Sequence, residues 1–174
     1  MEFRRVLFRS QERLSIENYL RLALRRGELV LHYQPRIRMA DGALTGVEAL
    51  VRWSHPRRGL LDPGKFIDVA EDSGLIVPIG EWVLESACRQ LGEWQAVLGK
   101  GFRISVNLSV GQLADADRLY GAVQKAVRGS GIDPCALELE LTESILMQNL
   151  GEKAVLLDRL GALGVGISID DFGT

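Results

Sequence analysis

The 174-residue chain is 47% hydrophobic and 25% charged, with a formal net charge of −2. That balance fits one soluble globular domain and argues against a surface that binds a nucleic-acid polymer or an anionic membrane by charge. Cys88 and Cys135 have no CxxC spacing, so they point to neither a disulfide framework nor a zinc site, and a reducing, cytoplasmic setting is the default. No run approaches the ~18 apolar residues of a membrane span, although an anchor could lie in sequence upstream.

Residues 1–10 stand apart. Glu2-Phe3-Arg4-Arg5-Val6-Leu7-Phe8-Arg9-Ser10 resembles the in-frame translation of a widely used sequencing adapter. It is set aside as a non-native segment, leaving residues 11–174 as the domain. From Ser15, a plausible N-cap, the pattern turns helical through Ile16, Tyr19, Leu20, Ala23 and Leu24, with Gly27 as the stop. Leu29 to Ile37 reads as a strand, and Asp41-Gly42 as the turn into Val47-Glu48-Ala49-Leu50-Val51-Arg52-Trp53. The two runs therefore predict an antiparallel hairpin. In the second run Glu48, Leu50 and Arg52 share one face and Val47, Ala49, Val51 and Trp53 the other, as period-two geometry requires. An ordinary half-buried strand shows the same alternation.

His55-Pro56 through Gly59 reads as a loop. Asp62-Pro63 looks like an N-cap with proline at the first helical position, opening a short helix that Gly74 ends. A longer helix over about Ile79 to Leu98 buries Trp82, Val83, Cys88, Leu91 and Trp94. Next, Ile104, Val106 and Leu108 oppose Arg103, Ser105 and Asn107 in a strand, and Leu113 to Val127 is a helix. Leu137, Leu139 and Leu141 oppose Glu138 and Glu140; a helix follows from about Glu152 to Leu163; then Val165, Ile167 and Ile169 oppose Gly166, Ser168 and Asp170. Strand–helix alternation with short connections predicts an α/β fold with a parallel sheet, either an open sheet or a barrel. Strands of an open doubly wound sheet are apolar on both faces, whereas here one face is consistently polar. That favours a TIM-like (β/α)8 barrel whose lumen and C-terminal rim carry chemistry.

Glu48, Asn107, Glu140, Asp170 and Asp171 all fall at or near the C-terminal ends of predicted strands. Carboxylates crowded there repel one another unless a cation compensates them. Oxygen-only ligands select hard divalent ions, magnesium or manganese. Adjacent Asp170-Asp171 suits a bridge between two ions, the standard device for displacement at a phosphodiester. Taken singly, each acid reads more simply as a helix cap or a solvated side chain, and Asp170-Asp171 before Phe-Gly as a turn.

The motifs themselves resemble those of EAL-domain phosphodiesterases: Tyr33-Gln34-Pro35, Glu48-Ala49-Leu50 with Arg52, Asn107-Leu108-Ser109, Glu140-Leu141-Thr142-Glu143-Ser144 and Asp170-Asp171-Phe172-Gly173-Thr174, in the family's order. The resemblance implies metal-dependent opening of cyclic di-GMP to linear pGpG in bacterial second-messenger signalling, with cyclic di-GMP as partner and Mg2+ or Mn2+ in a two-metal site. It implies a barrel with an antiparallel first strand, cytoplasmic or at the cytoplasmic face of the inner membrane, and admits a homodimer of the full-length domain. Residue by residue, it makes Glu48, Asn107, Glu140, Asp170 and Asp171 the metal set, with Glu48, Asp170 and Asp171 central to catalysis. Gln34, Leu50 and Arg52 become dinucleotide contacts, and Glu143 the glutamate that steadies the loop beginning at Asp171. Arg52 suits a phosphate because a guanidinium fork matches its oxygens. His32 and His55 match no family catalytic position.

The family's later lysine, glutamate and glutamine would follow Thr174, and a complete barrel needs ~250 residues. The expectation is an N-terminal part of the barrel, with an exposed strand edge, aggregation-prone and inactive by itself, from a parent enzyme. The alternative is a catalytically degenerate EAL domain acting as a cyclic di-GMP receptor or a protein-interaction module. Retention of the clustered acids argues against a released site.

Overall fold

The turn at Asp41-Gly42 follows from its chemistry. Gly42 takes φ +70°, and Asp41 Oδ1 accepts a bond from the Ala43 amide at 3.1 Å, so the chain doubles back. Strands β1 (Leu29–Ile37) and β2 (Leu44–His55) pair antiparallel on either side, with Leu29 opposite Trp53, Gln34 opposite Glu48 and Arg36 opposite Gly46. The computed structural model describes residues 2–142 and 150–170, and for 2–10, 150–152 and 170 it describes the backbone alone.

Beyond the hairpin the pairing becomes parallel. Strands β4 (Arg103–Asn107), β5 (Leu137–Thr142) and β6 (Gly166–Asp170) add in turn, giving the order β1-β2-β4-β5-β6, while the short β3 (Gly59–Leu61) pairs antiparallel with β2. Helix α1 (Glu2–Arg26) precedes β1, and helices α2 (Ile67–Asp72), α3 (Ile76–Leu98), α4 (Val110–Leu113), α5 (Ala116–Ser130) and α6 (Leu150–Ala162) lie in the connections between strands. The expected antiparallel start and parallel continuation are both present.

Period two sorts the strands as expected. Ile104, Val106, Leu137, Leu139 and Leu141 are buried and join one core with Val83, Leu84, Ala87 and Leu91 of α3 and Val123 and Val127 of α5. Each of the Val, Leu and Ile side chains among them, when fully withdrawn from water, contributes about 1.5–3 kcal/mol. The opposite face carries Glu48, Ser105, Glu138 and Glu140. That face is concave: Arg36 Nη1 on β1 lies 3.0 Å from Glu140 Oε1 on β5. In a flat sheet the two strands would stand three spacings apart, roughly 14 Å, with side chains upright, so the contact fits a sheet that curls toward this face. This curl is the beginning of a barrel wall, and the polar face is its lumen.

Several local readings change. The first helix does not start at Ser15 but runs from Glu2, because residues 2–14 contain neither proline nor glycine and are rich in good helix formers. His55 is not a loop residue. It ends β2, is 4% exposed, and packs its ring against Tyr19 and Trp53, while its Nδ1 accepts from the Arg57 amide at 3.0 Å. The segment after it is a tight hairpin into β3, turning at Gly59 with φ +71°. Asp62 precedes a 3-10 turn, Pro63–Lys65, without capping it by its side chain. The expected helix from Leu113 to Val127 is divided into α4 and α5, where Asp115 accepts from the Arg118 amide at 3.1 Å and caps α5. Trp82 and Trp94 are half-buried rather than core.

Candidate functional site

Strands β2, β4 and β5 each bring an oxygen-bearing side chain to the concave face; Asn107 ends β4, and Glu48, although in the first half of β2, lies near the C-terminal end of its parallel pairing with β4. In the ladders Glu48 is level with Ser105, and Asn107 is level with Glu140. The offset from Glu48 to Asn107 is the stagger that tilted barrel strands require to set side chains at one height. It brings Asn107 Nδ2 to 2.6 Å from Glu48 Oε1, to which it donates, leaving Asn107 Oδ1 as an acceptor.

Glu140 is the buried member, 7% exposed. Burial, and then the charge of Glu48, push its carboxyl above the usual carboxylate range, while a hydrogen bond with Ser105 and the Arg36 charge act in the opposite direction. Arg36 Nη1 donates to Glu140 Oε1 at 3.0 Å, to Ser105 Oγ at 3.0 Å and to Glu138 Oε2 at 3.3 Å. Sequence reasoning placed Ser105 and Glu138 on the polar face without giving them a task, and it passed over Arg36. The available signal was strand parity, since Arg36 shares a face with Gln34.

Asp170 ends β6, paired with Thr142, one step beyond the Glu140–Ser168 pair. Its backbone is therefore at the same end of the sheet; its side chain, like Asp171 and Glu143 entirely, lies outside the described residues. Among the described residues no three acids, histidines or cysteines gather into a ligand set. What converges is two carboxylates and one amide. These donors fit a hard divalent cation in kind, and the Glu48–Glu140 repulsion is the charge such an ion would neutralise.

The expected dinucleotide contacts flank this group. Gln34 sits directly across β1–β2 from Glu48 and is exposed, and Leu50 follows one step toward the rim, opposite His32. Leu50 lines a largely apolar cavity of about 390 Å³ with Pro63, Ile67, Ile79 and Asn107. That volume falls in the range of small-molecule sites. Arg52 is held, not free: its Nε is 3.0 Å from Asp62 Oδ1 and its Nη1 donates to the Val51 carbonyl at 2.9 Å. Asp62, read from sequence as a helix cap, thus orients a guanidinium at the rim.

Known proteins resemble this chain in sequence and fold. The EAL-domain family model matches residues 17–174. The chain is 49% identical over 165 residues to the bifunctional diguanylate cyclase/cyclic di-GMP phosphodiesterase MucR of Pseudomonas aeruginosa, covering 95% of this chain and 24% of that protein. It is 45% identical over 171 residues to the cyclic di-GMP phosphodiesterase NbdA of the same organism, covering 98% of this chain and 22% of NbdA. The chain thus spans about a quarter of the length of these curated relatives. A solved structure of the MucR phosphodiesterase in complex with c-di-GMP superposes with a TM-score of 0.88 at 49% identity, covering 92% of this chain and 64% of that one. The curled, mostly parallel sheet is accordingly part of a TIM-like barrel, and the chain belongs to the EAL-domain family.

Proposed function

We propose that the parent protein of this chain hydrolyses cyclic di-GMP to linear pGpG in a Mg2+- or Mn2+-dependent reaction, in the cytoplasm or at its membrane face. The observation that carries this reading is the Glu48–Asn107–Glu140 convergence on the lumen rim, in a chain 49% identical to a named cyclic di-GMP phosphodiesterase. Glu48, Asn107 and Glu140 would hold one ion with Asp170, and Asp171 would reach a second. Such ions supply Lewis-acid polarisation of a phosphoryl oxygen and a more acidic water.

The chain's own residues do the rest. Arg52, anchored by Asp62 and the Val51 carbonyl, turns its remaining guanidinium nitrogen to a phosphate. Leu50 and the apolar cavity beside it exclude water from one side of the bound dinucleotide. Gln34 offers an amide across from Glu48. Glu143, by its match to the family's motif, would steady the segment that begins at Asp171. Among the described residues no helix is long and apolar enough to cross a membrane.

The test is hydrolysis of cyclic di-GMP by the full-length parent protein with Mn2+ or Mg2+, followed by chromatography of pGpG, against Glu48→Ala. Metal-dependent turnover lost in Glu48→Ala supports the reading; turnover unchanged in that variant overturns the ligand assignment.

A further inference from the structure

We propose that Arg36 is a positioning residue of the metal centre: reaching across the lumen, its Nη1 ties Glu140 Oε1 and leaves Glu140 Oε2 to face a divalent cation. The inference rests on the metal-dependent reading above and assigns a role to a residue outside every motif used for that reading.

One nitrogen serves three acceptors on two strands: Ser105 Oγ at 3.0 Å, Glu138 Oε2 at 3.3 Å and Glu140 Oε1 at 3.0 Å. The path is open because Gly46, the register partner of Arg36 on β2, presents no side chain to the same face. The cation is permanent, since a guanidinium is not deprotonated in proteins. Its reach also has a consequence for where a metal can sit. Glu138 and Glu140 lie on one face of β5, and without Arg36 the pair would itself attract a divalent ion below the rim. With Arg36 shared between them, one of the two negative charges is balanced and Glu140 Oε1 is engaged, so that Oε2 is the oxygen left for the side where Glu48 and Asn107 stand. Partners behind a metal ligand that fix its orientation commonly govern affinity as strongly as this.

Mn2+ is the probe, titrated calorimetrically into the metal-free full chain and into Arg36→Met, Arg36→Lys and Glu140→Gln, with thermal unfolding in chelator to establish that each is folded. Arg36→Met is expected to weaken Mn2+ binding by about 10–100-fold. Arg36→Lys should recover most of that loss, because all three contacts pass through a single nitrogen and an ammonium has three hydrogens to offer. Mn2+ affinity in Arg36→Met equal to or tighter than wild type overturns the proposal, tighter binding marking Arg36 as a competitor for the carboxylate. If Arg36→Met does not fold, Arg36→Gln, which keeps hydrogen-bond donors without the charge, must show the loss, and wild-type affinity there overturns it equally. A loss in Glu140→Gln with none at Arg36 refutes this inference alone; no loss in Glu140→Gln refutes the metal reading and this inference with it.

Discussion

Asn107 Nδ2 donates to Glu48 Oε1 at 2.6 Å, joining two neighbouring parallel strands on the lumen face. The contact gives Glu48 a hydrogen-bond partner and leaves Asn107 an oxygen to offer. It makes the site a linked system, in which removing one donor alters the charge balance of the other.

The variant Asn107→Asp replaces a donor with a second carboxylate beside Glu48. Without metal, the lost bond to a charged group and the new repulsion should destabilise the fold by about 1.5–3 kcal/mol. Saturating Mn2+ should restore most of the loss, because an ion that binds only the folded state stabilises it by mass action. Thermal midpoints measured in chelator and in Mn2+ test this; a deficit that Mn2+ leaves untouched contradicts the linkage.

Glu140 has its proton affinity raised by burial and by Glu48. The folded state therefore binds this proton more tightly than the unfolded chain. Its contribution to stability is present at low pH and is lost as pH rises from the ordinary carboxylate range through the raised value. Glu140→Gln, permanently neutral, should make the metal-free protein more stable than wild type at neutral pH while abolishing Mn2+ binding. The gain should shrink toward acid pH, as denaturant midpoints across pH would show.

His55 behaves in the opposite sense. Burial first, then Arg58 and Arg57, hold its imidazole below the usual range, with Glu28 pulling it up. A depressed value favours the neutral ring in the fold, where Nδ1 accepts from the Arg57 amide. The stability it contributes is complete above the ordinary imidazole pKa of about 6.5 and is lost as pH falls below it. His55→Phe should lower stability at neutral pH by leaving the Arg57 amide without its acceptor. It should also flatten the pH dependence between neutrality and the carboxylate range, which thermal melts of the two proteins can compare.

Gly46 is required by backbone proximity rather than by a turn. A Cβ there would lie 2.5 Å from the Arg103 carbonyl oxygen on β4, so the two strands would have to part. Gly46→Ala should cost about 1–3 kcal/mol, the usual range for forcing a methyl into a packed site. Urea unfolding measures the loss, and a neutral result would mean that the β2–β4 ladder yields more readily than its geometry implies.

Strand parity, turn chemistry and the motif order were enough to put Glu48, Asn107 and Glu140 on one face of successive strands. The same signals set the antiparallel first strand and the apolar face of Ile104, Val106, Leu137, Leu139 and Leu141. These are local properties: a period of two decides which side a residue takes, and Asp41-Gly42 decides where the chain reverses. Local pattern was silent about distances between elements. That Asp62 would orient Arg52 instead of capping a helix, or that His55 would be enclosed by Tyr19 and Trp53, depends on where separate segments come to rest. The reach of Arg36 to Glu140 depends on more still, the curl of a whole sheet. Periodicity assigns a residue to a face, but only the assembled curvature decides which faces meet across the lumen.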